Sequence, residues 1–386
     1  TFASNNSTDP IYTLYYSDPD RVFVVIDNAV VVSHLADIAG LSFNQLQIAQ
    51  MLDDLSGTSS GDLSNVITEL QNMNSDESKI MGLNQISPHF VANNITAMLN
   101  KGEIKDVYDV INDQRMDRDF WFDFSGGVHR LNKDKNSVEK FKANSYAGTF
   151  GYSEWFGHGV VGAYGRYQYK EMSQGSASAE LHSGSVGLYG GYIGRELAVK
   201  SVINAAYNYY SHDRDIHYGS ISRTASTDFY ALSANADVQA EYKFHLNTHV
   251  DFKPFVGASV GIVNIPDFTE TGANSLNLEY NGDIYKTADG RAGLGLGIAY
   301  GSFALDLDAA YKFVFTGYAP EITATLQHQD QTFIARGLEF GRHQFVGSAN
   351  ALYHLSHRLN LSAKTSYTIG DNISDIYFGA GIKVKF

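Results

Sequence analysis

The side chains able to do covalent or metal chemistry are present in this 386-residue sequence, but they are not spaced for it. Its 13 histidines are scattered, with no His-Glu-x-x-His or other paired-ligand spacing, so polar interior or surface roles are expected in place of a metal site. The absence of cysteine removes disulfides and thiolate zinc centres. Gly293-Leu294-Gly295-Leu296-Gly297 resembles a phosphate-cradling loop, yet glycine at every second position of a strand pattern reads as space cleared on one face. His354 sits in an alternating strand with no serine or cysteine nucleophile motif beside it, which argues against a hydrolase of the Ser-His type. No catalytic residue, metal or cofactor is expected.

The remaining chemistry is that of charges on one face of long strands. From Phe303 to Phe315 the odd positions Phe303, Leu305, Leu307, Ala309, Tyr311, Phe313 and Phe315 are apolar, whereas Asp306, Asp308 and Lys312 lie between them. Period-two alternation of this kind gives a strand one greasy and one charged face. The segments from Tyr230 to Phe244 and from Leu359 to Ile369 repeat it. By the same alternation, Arg166, Lys200, Lys243, Lys253, Lys312 and Lys364 fall on the polar face.

Twelve such segments can be counted, near 119–130, 143–154, 159–170, 179–194, 197–210, 227–244, 249–263, 287–300, 302–316, 336–355, 358–370 and 374–386. Tight turns alternate with longer polar loops between them. A soluble sandwich would also alternate, but strands of about 12 to 18 residues exceed the usual ~5 to 6 of globular sheets. An even count, long strands and turn-loop asymmetry predict an antiparallel transmembrane β-barrel. Composition agrees: 25 Tyr, 23 Phe and 36 Gly against 6 Pro suit strands. No apolar run reaches the ~18 residues of a membrane helix, which leaves barrels open. The net charge of −14, without a basic stripe, argues against nucleic acid as a partner.

Residues 1 to 117 read differently. Ile11 to Val32 holds two β-rich runs split at Asp18-Pro19-Asp20. Ser42 and Gln45 can form a capping box ahead of Ile48, Met51, Leu52 and Leu55, an i, i+3, i+4, i+7 stripe. Leu63, Val66, Ile67 and Leu70 repeat the spacing, Pro88 suits the start of a helix carrying Val91, Ile95, Met98 and Leu99, and Ile104, Val107, Tyr108 and Ile111 mark a last helix.

Order and spacing of these features resemble the C-terminal translocator of type Va autotransporters. Leu41-Ser42-Phe43-Asn44-Gln45-Leu46-Gln47-Ile48-Ala49-Gln50-Met51-Leu52 is similar to the family's linker signature, and the preceding IYTLYYSDPDRVFVVI to the last rung of a passenger β-helix. Leu83-Asn84-Gln85-Ile86-Ser87-Pro88 resembles the motif ahead of the pore helix. Pro254-Phe255-Val256-Gly257-Ala258, Phe268-Thr269-Glu270-Thr271-Gly272-Ala273 and Asp289-Gly290-Arg291-Ala292-Gly293-Leu294-Gly295-Leu296 resemble conserved barrel segments.

The resemblance implies an all-β membrane protein: a 12-stranded barrel with an N-terminal α-helix in its lumen, preceded by a helical linker and a short β-rich stub. It divides the chain into a passenger end (1–35), linker (36–87), pore-helix region (88–117) and barrel (118–386), with the Thr1 end expected to follow processing or excision. Residues 11 to 83 are expected outside the wall, open to protease. Ile104, Asp106, Val107, Tyr108, Asp109, Ile111, Asn112, Asp113 and Arg115 would form the pore helix, its polar groups meeting the wall cations named above. Gly381, Ile382, Val384 and Phe386 would form a terminal signal read by the barrel-assembly machinery. In one subgroup the chain is cut between two pore-helix asparagines, and Asn93-Asn94 is the corresponding pair here, although its flanks Phe90-Val91-Ala92 and Ile95-Thr96-Ala97 differ, so two polar helix residues are expected. The expected partners are outer-membrane lipids, that machinery and the chain's own passenger; a monomer exporting its passenger to the surface of a Gram-negative cell is implied. A passive outer-membrane channel with an N-terminal plug is the alternative.

Overall fold

The architecture was obtained as a computed structural model, which describes residues 12–18, 21–26, 34–98, 102–112 and 118–385. Leu99, Asp113, Arg115 and Phe386, named above, lie outside the described residues. Two short strands, β1 (Tyr12–Asp18) and β2 (Arg21–Ile26), pair antiparallel as a hairpin. Four helices follow: α1 (Phe43–Ser56), α2 (Asp62–Gln71), α3 (Asp76–Ile86) and α4 (His89–Ala97); a fifth, α5 (Gly102–Asn112), stands apart.

The remaining chain runs through β3 (Arg118–Leu131), β4 (Phe141–Phe156), β5 (Gly159–Gln174), β6 (Ala177–Ile193), β7 (Leu197–Tyr218), β8 (Ile221–Tyr242), the short β9 (Phe244–His245) and β10 (Val250–Ile265). It continues through β11 (Phe268–Thr269), β12 (Leu278–Asn281), β13 (Asp283–Tyr300), β14 (Phe303–Thr316), β15 (Glu321–Leu326), β16 (Thr332–Arg336), β17 (His343–His354), β18 (Leu359–Gly370) and β19 (Ile373–Lys385). Twelve of these strands close into an antiparallel barrel. Its seam is the pairing of the last strand with the first, where Ile382 stands opposite Phe122 and Val384 opposite Phe120. Closure leaves no unpaired edge.

Barrel burial is inverted relative to a soluble sheet. Phe124, Val186, Leu188, Leu361 and Ile382 face outward and are exposed, whereas their neighbours Asp123, Ser185, Asn204, Asp237 and Lys364 point inward and are buried. A sandwich would bury the apolar set; a barrel offers it to lipid. On the outward face Tyr146, Tyr169, His182, Tyr209 and Tyr230 fall on one cross-strand rung of β4 to β8. Aromatic rungs of this kind mark a membrane interface. Among the described residues no helix is long and apolar enough to cross a membrane, a statement about helices alone.

Beyond the interface the long loops are structured. β11, β12, β15 and β16 form a four-stranded sheet built from the loops after β10 and β14. Helices α1 to α4 pack on it: Leu35, Ile48, Leu52, Val66, Leu70, Leu83 and Ile86 share one core with Leu276, Leu278, Tyr280, Ile322, Leu326 and Phe333. Each such aliphatic or aromatic side chain contributes about 1.5–3 kcal/mol on burial. Helices α1 to α4 are not open to solvent along their apolar faces: with the loop sheet they form a folded cap. α1 begins with the predicted capping box, Ser42 N–H donating to Gln45 Oε1 (2.9 Å) and Gln45 N–H to Ser42 Oγ (3.4 Å).

Candidate functional site

α5 occupies the lumen because its two faces match two faces of the wall. Ile104, Val107, Tyr108 and Ile111, spaced i, i+3, i+4, i+7, pack against Trp121, Val160, Tyr164, Tyr189, Ala198 and Val202. The indole of Trp121 lies over Gly151 of β4, where a Cβ would come within 2.4 Å of the ring, so glycine is required there. Trp121 Nε1–H donates to Tyr189 Oη at 2.9 Å. Gly293, Gly295 and Gly297 clear space for wall side chains: a Cβ on them would first meet Phe255, Asp308 and Asp306 respectively.

The polar face of α5 carries Asp106, fully buried. Its Oδ2 lies 2.6 Å from Arg166 Nη1 on β5, and its Oδ1 lies 2.6 Å from Lys364 Nζ on β18 and accepts from the Tyr377 hydroxyl of β19. Lys364 also pairs with Asp123 of β3 at 2.7 Å. Arg166 donates further to Thr149 Oγ1 (2.9 Å) and Ser125 Oγ (3.3 Å). One helix carboxylate therefore bridges strands on both sides of the seam. Full pairing is what makes buried charge tolerable in a confined interior.

A second attachment runs through Tyr108, whose hydroxyl donates to Asp237; Arg291 holds that same carboxylate bidentately at 2.7 and 2.8 Å. A third is Lys383 of β19, which donates to the Val110 carbonyl (3.3 Å) and pairs with Asp119 (3.1 Å). A cation at the C-terminal carbonyls of a helix opposes its dipole.

The wall cations divide. Arg166 and Lys364 reach the helix, whereas Lys200 pairs with Glu241 (3.2 Å) and Lys253 with Asp306, both within the wall. The Lys200 ammonium still lies 6.0 Å from the Tyr108 ring centre. Lys243 lies just beyond β8 and Lys312 on β14, both half-buried; Asp109 and Asn112 are half-buried on the helix. Asp123, Asp237, Arg291 and Tyr377 were not singled out in the sequence, although Arg291 lies inside a quoted motif.

Asn93 and Asn94 sit in the cap, on α4. Asn93 Nδ2–H donates to Gln174 Oε1 (2.6 Å) and its Oδ1 accepts from Leu338 N–H (2.6 Å); Asn94 Nδ2–H donates to Tyr210 Oη (2.6 Å). Both side chains are fully buried.

The cap has its own polar lock. Glu270 is fully buried and accepts from Arg214 Nη2 (2.5 Å), His212 Nε2 (3.3 Å), Tyr280 Oη (2.9 Å) and Leu278 N–H (3.0 Å). Arg214 Nη1 donates in turn to the Gln85 and Ile86 carbonyls at the end of α3. Burial alone would raise the Glu270 carboxyl, but Arg214 and His212 outweigh it and hold it down to about 2. Asp62 on α2 is likewise held down to about 2, foremost by its bidentate bond to Arg223 (2.6 and 2.8 Å).

Among the described residues no three His, Asp or Glu side chains are grouped to hold a metal. The fold and site define a plugged transmembrane β-barrel. The family model described as "Autotransporter beta-domain" matches residues 120–366, and the chain belongs to this family. Its barrel is a translocator domain of the Gram-negative outer membrane, linked to a passenger that is exported to the cell surface.

The fold is similar to the translocator domain of the autotransporter NalP from Neisseria meningitidis (14% identity, TM-score 0.64, covering 78% of this chain and 100% of that one). It is also similar to the transport unit of AIDA-I from Escherichia coli (15%, 0.54, 77% and 98%) and to the β-domain of the Bordetella autotransporter BrkA (15%, 0.51, 70% and 99%). No curated protein matches the chain in sequence.

Proposed function

We propose that α5 is the seal of the translocation pore and the last part of the exported polypeptide to remain in it. The observation that carries this reading is Asp106: a buried carboxylate on a lumen helix, paired with Arg166 and Lys364 from opposite sides of the seam. An amphipathic segment with an apolar seat and a charged clamp on the wall is held once it arrives, whereas an exported chain without them passes through.

In this reading residues 1–35 end the passenger, 36–87 are the linker, 88–117 lead through the pore and 118–386 are the barrel. Within the third segment α4 belongs with the cap core and α5 with the pore. The unit mediates export and performs no catalysis, without metal or cofactor. Asn93 and Asn94 tie the cap to β5, β7 and the loop before β17, and the chain stays uncut between them. Gly381, Ile382 and Val384, with Phe386 at the last position of this sequence, are recognised by the assembly machinery as an incoming strand before β19 pairs with β3. The barrel works as a monomer in outer-membrane lipid. An epitope fused ahead of Thr1 tests the export reading: antibody should label it on intact cells, and labelling only after the outer membrane is opened would contradict it.

A further inference from the structure

We infer that the outward face of the β3–β4 hairpin is a binding surface for the phosphomonoester of an outer-leaflet glycolipid. The inference rests on the outer-membrane setting, and not on the role given to α5.

In the barrel register Arg130 stands directly opposite Lys142. Ser374 of β19 is opposite Arg130 on the other side, and Ser173 of β5 is opposite Lys142. One rung therefore reads Ser374, Arg130, Lys142, Ser173 across four strands, all on the outward face, with both cations exposed. Like charges directly opposite on paired strands destabilise a sheet. Among the described residues neither cation has an ion-pair partner in the chain; the acidic residue nearest in register on that face is Glu171, diagonal to Lys142. Two cations facing each other between two hydroxyls are the donor set of a phosphate site.

The intervening loop repeats the bias. Lys133 and Lys140 are also exposed. Its two acids are half-buried and already engaged: Asp134 accepts from the Asn136, Ser137 and Glu339 amides, and Glu139 pairs with His89 at 3.7 Å. In a chain of net charge −14, the loop end of this hairpin shows Arg130, Lys133, Lys140 and Lys142 to the outside, while Lys135 pairs with Glu339 at 3.0 Å.

Height along the strands selects an amphiphile. Two outward rungs nearer the membrane lie Tyr146 and, across Gly126, Phe378, exposed at 57% and 54%. Beside Ser374 on β18 stands the exposed Ile369. The cations thus border the apolar band, where a headgroup phosphate lies above its acyl chains.

The test uses the full chain in lipid nanodiscs, with a bisphosphorylated lipid A titrated against its dephosphorylated form and against inorganic phosphate, and binding read by native mass spectrometry. Arg130→Gln/Lys142→Gln should weaken binding of the phosphorylated glycolipid by about five-fold per cation, roughly twenty-five-fold in all. Arg130→Lys/Lys142→Arg, which keeps both charges, should retain most of it, and heat-modifiable migration identifies any variant that has not folded. Equal binding of the two lipid forms, or binding unchanged in the folded double glutamine variant, would overturn the inference. Millimolar inorganic phosphate displacing the lipid completely would overturn the assignment to a membrane amphiphile.

Discussion

Asp106 Oδ1 and Lys364 Nζ lie 2.6 Å apart inside the barrel, one on the lumen helix and the other on the wall. Arg166 closes the same carboxylate from β5 at the same distance, and Tyr377 donates to it from β19. Removing one partner of a buried, hydrogen-bonded ion cluster costs about 3–5 kcal/mol because the others are left uncompensated. Asp106→Ala should therefore lower the thermal stability of the refolded barrel by this order, and Asp106→Asn, which keeps the shape, by somewhat less. Unfolding followed by near-UV circular dichroism measures both; a loss under about 0.5 kcal/mol, the size of an exposed pair, would remove the clamp.

The cap predicts resistance where the bare sequence suggests exposure. Limited proteolysis of intact cells should spare residues 35–98, because α1 to α4 share a core with the loop sheet. Arg214→Ala should open this region to cleavage, since Arg214 joins Glu270 to the end of α3. Equal digestion rates in the two proteins would mean that the lock does not hold the cap.

Acid should loosen the cap before it loosens the barrel. Glu270 has a folded-state value near 2 against an ordinary 4.5, and Asp62 near 2 against 3.8. A depressed carboxylate stabilises fully above its unfolded value, and the contribution fades as pH falls toward the folded one. For the buried Glu270 this is roughly 3 kcal/mol, lost between about pH 4.5 and 2. Glu270→Gln should flatten that acid limb in hydrogen exchange of α3 amides; an unchanged slope would exclude Glu270 as its source.

Asn93→Ala removes two buried hydrogen bonds and strands the Leu338 amide and the Gln174 Oε1, which should destabilise the cap by about 1–3 kcal/mol for each group left unpaired. The wild-type chain should stay uncut between Asn93 and Asn94 after export. A fragment beginning at Asn94 would contradict the tethering role.

The terminal strand separates stability from recognition. Phe386→Ala should hardly change a detergent-refolded barrel yet sharply reduce assembly in cells, with Lys385→Ala as the control. Small, equal losses in both settings would leave the terminal ring as one more lipid contact.

Much of the barrel was legible because its pattern is local: alternation assigns each strand a face, and tight turns fix which strands neighbour. The α5 stripe of Ile104, Val107, Tyr108 and Ile111 was legible for the same reason. The loop sheet was not, since β12 and β15 are short and pair across distant loops, Leu278 with Leu326. Residues 211–226 read as a loop because the outward side chains there are Asp213, Asp215 and Ser226, so alternation fades once a strand leaves lipid; the strands in fact run on to Tyr218 and from Ile221. Likewise β17 starts at His343, and Arg336 closes β16 instead. An amphipathic stripe shows that α1 and α2 bury a face but not against what, which is why a folded cap was read as an exposed linker. The Asp106 cluster draws on α5, β3, β5, β18 and β19 at once, and only closure of the barrel brings those positions together.

Conductance tests the central claim most directly. Single-channel recordings in planar bilayers should show the full chain passing little current, and the same barrel lacking residues 102–112 opening a stable, several-fold larger pore, with Asp106→Ala giving intermittent openings between the two. Equal conductance of the full chain and the deletion would mean that α5 does not seal the lumen.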